Sequence, residues 1–359
     1  MPGHAWPTKP TVTPSIFGHV IYVAEEADSP DPLGFLLRTL SDPLALLLVV
    51  GGLVAALALL GAWLRWRPTL AAWQRFTDRA WSYRDLVPWM LRLSFGLVLI
   101  GAGLSGTIFA PEIGIGGWPH VLQTALGFLL LLGFAVRLAA LVGLAAYGVA
   151  LALDPTAVVI FDVAGGLAAV ALLGPGRPSL DDLLRAAFPR GPGGELATRP
   201  PAVERFEDLV PLLVRLGLGG ALLASGIVDK LLVYERALST VERYNLTALV
   251  PVSPELWVVG AALVESALGL AILLGLATRA AAMIAFTVLT LTLFGLPDDP
   301  VIAHVGLFGS ASVLVVLGAG RWSLDRGLFG ERQTTLSSGS SSANSAPRRA
   351  ESYILPTRW

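Results

Sequence analysis

The chain has 359 residues, of which 54% are hydrophobic and 14% charged, against about 45–50% and 25% in soluble domains. An ordinary core cannot bury that much apolar surface, so lipid must supply the second apolar phase. A net charge of −1 gives no field for nucleic acid. The absence of cysteine removes disulfides, thiolate metal sites, iron–sulfur ligation and thiol catalysis. Four histidines remain, His4, His19, His120 and His304, and no apolar span carries a facing pair, so internal haem ligation is not expected.

In chain order, residues 1–42 read as a polar, proline-rich outer arm with an acidic patch (Glu25, Glu26, Asp28, Asp31) and a short amphipathic piece, Leu33 to Leu37. No apolar run near the start reads as a signal peptide. Residues 43–67 form an anchor span: Leu44 to Leu64 carries no charge, long enough for roughly 30 Å of hydrocarbon, and it ends in Arg65-Trp66-Arg67-Pro68. A basic cytoplasmic connector, 68–85, contains Arg75, Arg79 and Arg84. Residues 86–185 hold four predicted spans near 87–106, 117–136, 138–153 and 156–173. A linker, 186–208, leads to a second unit, 209–330, with spans near 210–228, 255–277, 279–296 and 300–317. The Ser-rich tail, 331–359, reads as disordered. The expected fold class is all-α integral membrane, with about nine transmembrane helices.

Eight of those helices read as two copies of one unit. Leu86-Val-Pro-Trp-Met-Leu-Arg-Leu-Ser-Phe-Gly96 returns as Leu209-Val-Pro-Leu-Leu-Val-Arg-Leu-Gly-Leu-Gly219. Gln123 to Arg137 returns as Glu265 to Arg279, and Gly174-Pro-Gly-Arg-Pro-Ser-Leu-Asp181 as Gly318-Ala-Gly-Arg-Trp-Ser-Leu-Asp325. The spacing between copies grows from 123 to 142 residues, so the second carries 19 extra between its first two helices. That insert is expected to lie over the outer mouth of the second unit as a short amphipathic helix or lid. Of 25 cations, Lys9, Arg38, Lys230, Arg236 and Arg243 fall on one side and the rest on the other. The positive-inside rule then puts the N-terminus outside and the C-terminus in the cytoplasm, with both bundles parallel. Glycines such as Gly96, Gly127, Gly219 and Gly269 read as plain helix-packing positions.

The repeated residues resemble the DoxX family of four-helix membrane proteins. That pattern has Leu-Arg-Leu-x-x-Gly opening helix one and Gly-x-x-Lys-Leu at its end. A Glu-x-x-x-Gly follows in helix two, an Arg starts helix three, and Gly-x-Gly-Arg-x-Ser-Leu-Asp closes helix four. The second unit carries Arg215, Gly219, Gly226 with Lys230 (one residue beyond the usual spacing), Glu265, Gly269, Arg279, and Gly318 to Asp325. The first departs twice: Ser105-Gly-Thr replaces the lysine region and Gln123 stands in place of Glu265. The resemblance covers roughly residues 86–182 and 209–328. It implies a link to thiosulfate:quinone oxidoreductase, whose membrane subunit is DoxX-like, and to complexes handling oxidative stress.

On the residues alone, Glu265 falls near the middle of a span, where an ionised carboxyl costs on the order of 2.5–3.5 kcal/mol unless neutral, paired or facing a cavity. It is read either as a proton-handling group or as a structural, Arg-paired one. An outer-mouth ligand site is expected from Asp229, Lys230, Asp298, Asp299 and His304 beside it, with Asp162 related to His304 and a reduced version at His120 and Glu112. One histidine among carboxylates is a weak metal signature, and no metal is expected. Arg92 and Arg215 read as snorkelling cations. Arg137 and Arg279 belong to tight turns, and Arg177–Asp181 and Arg321–Asp325 read as ion pairs four residues apart. The functional expectation is a quinone-interacting or accessory subunit of a membrane redox system, without covalent cofactor, with the bilayer, a redox protein and a quinone as partners. The alternatives are a non-catalytic scaffold recruiting a redox partner and a small-solute transporter.

Overall fold

The computed structural model describes residues 29–109, 118–187, 206, 208–297 and 301–327. Every regular element among them is helical. The arm's acidic residues Glu25, Glu26 and Asp28, as well as His4, His19, Glu112, Asp298, Asp299 and the tail, lie outside the described residues.

The N-terminal part consists of α1 (Pro32–Ser41), α2 (Pro43–Trp66) and α3 (Ala71–Trp81). Asp42 starts α2 by accepting a hydrogen bond from the Leu44 amide, with Pro43 in the first turn, where its missing N–H costs nothing. No charge interrupts α2 until Arg65, and almost none of its surface is covered by protein. The first four-helix set is α4 (Val87–Leu104), α5 (Trp118–Leu132), α6 (Val136–Leu153) and α7 (Phe161–Leu173), followed by the short α8 (Leu180–Ala187). The second set is α9 (Leu209–Ala224), continued by a π-helical turn (Ser225–Leu232), then α11 (Pro254–Leu274), α12 (Thr278–Gly295) and α13 (Val301–Leu317), with α10 (Tyr234–Arg243) inserted before α11. Seven of the helical stretches are long and apolar enough to cross a membrane; α5 and α13 are apolar but shorter.

Each set is held by close backbone approach. A methyl added to Gly127 would lie 2.7 Å from the Gly96 carbonyl, and one added to Gly269 would lie 2.7 Å from that of Gly219. Lipid gives helices no hydrophobic reason to associate, so van der Waals contact at such glycines supplies the attraction. Between the sets, α7 packs on α9 and α13 on α4. One apolar core runs through both, from Leu91, Phe95 and Leu99 to Leu218, Ala311 and Leu314.

The N-terminal part touches the second set at both ends. At one end the Phe35 ring stacks on Tyr234 with centroids 4.2 Å apart, and the Glu235 amide donates to Ser29. At the other, Arg67 pairs with Asp325 at 3.0 Å. We refer to these as the α1 end and the arginine end.

Candidate functional site

At the α1 end, the π-helical turn places Lys230 against Glu265 of α11, Nζ to Oε2 2.7 Å, with side chains 9% and 16% exposed. A second carboxyl, Asp229, is buried in the same turn. The Ser225 hydroxyl donates to Asp229 at 3.4 Å and accepts from Lys230 Nζ at 3.2 Å. The turn explains the spacing noted above: its i→i+5 geometry takes up one residue more than an α-helical turn. Lys230, one position late in sequence, therefore still faces Glu265. An unpaired carboxylate at this depth would be costly, and the ammonium offsets that cost by direct charge pairing. Arg236 of α10 also lies within electrostatic reach of Asp229.

Around this cluster α10 and α1 form a second, smaller core. Phe35, Tyr234, Ala237, Val241 and Leu246 pack with Val258, Val259 and Leu296. The 19-residue insert thus folds into α10 and a following short helical turn, Leu246–Ala248, beside the mouth of the second set.

The first set closes the matching place differently. Its α4 stops at Leu104, and Gln123 of α5 meets both that helix and the irregular chain that follows: Oε1 accepts from the Phe109 amide at 3.2 Å, and Nε2 donates to the carbonyls of Leu99 in α4 and Thr107 beyond it. A neutral amide both donates and accepts there, which a carboxylate cannot do.

The arginine end corrects three expectations. Arg92 and Arg215 do not snorkel to solvent; each is 2% exposed and turned inward. Arg215 donates to the last carbonyls of α11 (Ile272, Leu273) and to the Ala319 and Trp322 carbonyls of the loop after α13. Arg92 does the same with Leu130 and Leu131 of α5 and with Pro175 and Pro178. Carbonyls at a helix C-terminus have no partner within the helix, so a buried guanidinium with five donors satisfies several at once. Asp181 and Asp325 do not pair with the arginines four residues before them. Asp325 accepts from the Ala277 and Thr278 amides at the start of α12, and Asp181 from Ala135 before α6. Arg177 pairs with Asp182 instead, at 3.2 Å, and the Arg321 amide donates to Asp208. Arg279 completes the clamp by donating to Val315 and Val316 at the end of α13, as Arg137 does to Leu172. These contacts need Gly133 (φ 71°) and Gly275 (φ 68°), where the chain turns left-handed with the Arg92 and Arg215 guanidinium carbons close by.

Of the remaining candidates, His304 is fully buried on α13, with its ring near Phe308. That helix packs on α3, α4, α7, α9 and α12, and not on α11, which carries Glu265. Gly165 meets Leu213 across α7 and α9 just as Gly309 meets Met90 and Ser94 across α13 and α4. This match pairs Asp162 with Gly306, and not with His304. The Asp162 carboxylate leans into the space left by Gly306, at the seam between the sets. His120 sits in the first turn of α5, and among the described residues its buried Nδ1 has no hydrogen-bond partner. No group of three His, Asp or Glu side chains among the described residues is placed to hold a metal ion. Sequence reasoning missed Ser225, whose only signal was its place one turn before the shifted lysine.

The helical bundle and its long apolar spans define a multi-pass membrane protein. Residues 210–298, which include the π-helical turn, Lys230 and Glu265, match the family model DoxX. The second set thus carries a DoxX-like region. No curated protein and no solved structure matches the chain.

Proposed function

We propose that the chain serves a membrane redox system as a quinone-interacting or accessory subunit, with its chemistry at the Lys230–Glu265 pair. The observation that carries this reading is the pair itself: an ammonium and a carboxylate 2.7 Å apart, deep in apolar helices yet with Glu265 still partly exposed. Intramembrane ionisable groups that are retained despite their cost mark ion, proton or ligand sites. A quinone headgroup presents carbonyl oxygens that accept hydrogen bonds, and Lys230 is a donor of the right kind. Without cysteine or paired histidines the chain carries no redox group of its own type, so electrons belong to the quinone and a partner protein.

The same proposal includes the topology. The two sets arise by tandem duplication, nine helices cross the bilayer, and the α1 end faces outside with the arginine end in the cytoplasm. Cysteines placed at Ser29 and at the exposed Glu242 then label from outside, and one at Thr77 only after permeabilisation.

Purification from the native membrane in mild detergent tests the function. Co-purifying quinone that is lost in Glu265→Gln supports it. A second reading, a scaffold, is favoured by a groove of about 420 Å³ lined by Phe35, Arg38, Asp42, Tyr234, Glu235 and Glu255 on the α1 end. Retention of a redox protein with no quinone, unchanged by Glu265→Gln, selects the scaffold.

A further inference from the structure

We propose that the π-helical turn builds a proton relay running from Glu265 through Lys230 and Ser225 to Asp229. A structural ion pair needs only Lys230 and Glu265. It leaves unexplained a second carboxyl, Asp229, 3% exposed within the same turn, because a further buried carboxyl adds a desolvation cost of its own. The four side chains form one continuous hydrogen-bonded line: Lys230 Nζ to Glu265 at 2.7 Å, Lys230 Nζ to Ser225 Oγ at 3.2 Å, and Ser225 Oγ to Asp229 Oδ2 at 3.4 Å. Its two ends differ in access. Glu265 is partly exposed, whereas Asp229 is enclosed.

Transfer balances without any other reactant. Lys230 gives one of its N–H protons to the Ser225 oxygen while the Ser225 hydroxyl proton moves to Asp229. The neutral amine left behind then takes the proton held by Glu265, as the Glu265 O–H bond breaks. Lys230 keeps its charge, Ser225 remains a hydroxyl, and one proton has passed between the carboxylates. Rotation of the Ser225 hydroxyl resets the line. The charged groups acting on Asp229 are Lys230 in its own turn, Glu265 on α11 and Arg236 on α10. The segment of the first set that packs on the turn, Pro155–Ile160, contributes no titratable side chain.

The relay rests on the reading of Glu265 as a proton-handling carboxyl, but its test requires no quinone. The full chain in lipid nanodiscs is given a proton pulse from a caged acid, and the Asp229 carboxyl band is followed by time-resolved infrared spectroscopy, assigned with labelled aspartate and Asp229→Asn. Asp229 gains a proton in the wild type. Ser225→Ala, which removes no charge, slows that gain roughly a hundredfold, the lower end of what a positioned proton-transfer group contributes; Ser225→Thr restores it. An unchanged rate in Ser225→Ala, or no protonation of Asp229 in the wild type, overturns the relay. If Ser225→Ala does not fold, the wild-type rate in heavy water decides: slowing supports the relay and an unchanged rate overturns it. Loss of quinone binding without loss of the relay, or the reverse, separates this inference from the function it extends.

Discussion

Gln123 and Glu265 occupy matching places on α5 and α11, yet each set solves the same problem with different chemistry. In the first, helix one stops short and the polar groups of its frayed chain are taken up by a neutral amide. In the second, helix one continues as a π-helical turn, and a carboxylate takes up a lysine. The amide closure is sealed, with Gln123 3% exposed; the charged one leaves the Glu265 side chain 16% exposed. One scaffold thus hosts a neutral amide at one of these places and an ion pair at the other.

The comparison breaks most sharply at the lysine. Lys230→Ala leaves a buried carboxylate unpaired and should destabilise the chain by about 3–5 kcal/mol in denaturant unfolding in micelles. Replacing both partners, Lys230→Met with Glu265→Leu, should recover most of that loss; equal losses in the single and double variants would show the pair is not coupled. Next, Gln123→Glu places a carboxylate where the first set offers no lysine. A cost of about 2.5–3.5 kcal/mol is expected, and a stable, ionised Glu at 123 would refute the difference drawn between the sets. Gln123→Ala should cost about 1–3 kcal/mol through the unsatisfied Phe109 amide, without altering quinone or partner binding. The smallest effects separate the two caps. Asp325→Ala, which loses two amide contacts and Arg67, should cost about 0.5–2 kcal/mol, more than Asp181→Ala with its single contact. Arg177→Ala, at an exposed pair, should leave the unfolding midpoint unchanged.

The all-helical class and the positions of the apolar helices were legible in composition and in uncharged runs such as Leu44 to Leu64, because lipid leaves the backbone few other choices. The place of Glu265 inside a helix was legible for the same reason. The inward turn of Arg92 and Arg215 was not, since an arginine one turn from a helix end has the same sequence signature whether it reaches for headgroups or for carbonyls. Which carboxylate it meets depends on how the loop folds back, and Asp181 and Asp325 turn away from the arginines four residues before them. The π-helical turn was half legible. The single extra residue before Lys230 was visible, but its accommodation within the helix depends on Glu265, 35 residues away.

The attachment of the N-terminal part also sets the order in which the molecule is made. Ser29 must wait for Glu235, 206 residues later, and Arg67 waits longer still for Asp325. At about 5–20 residues per second of synthesis, the first of these contacts lies roughly 10–40 s behind the emergence of α2. During that interval α2 has only the short α1 and α3 beside it, and most of its surface is uncovered. Its unbroken apolar surface is therefore a requirement of biosynthesis: the one span that the finished bundle barely covers is the one that can live alone in lipid from the start.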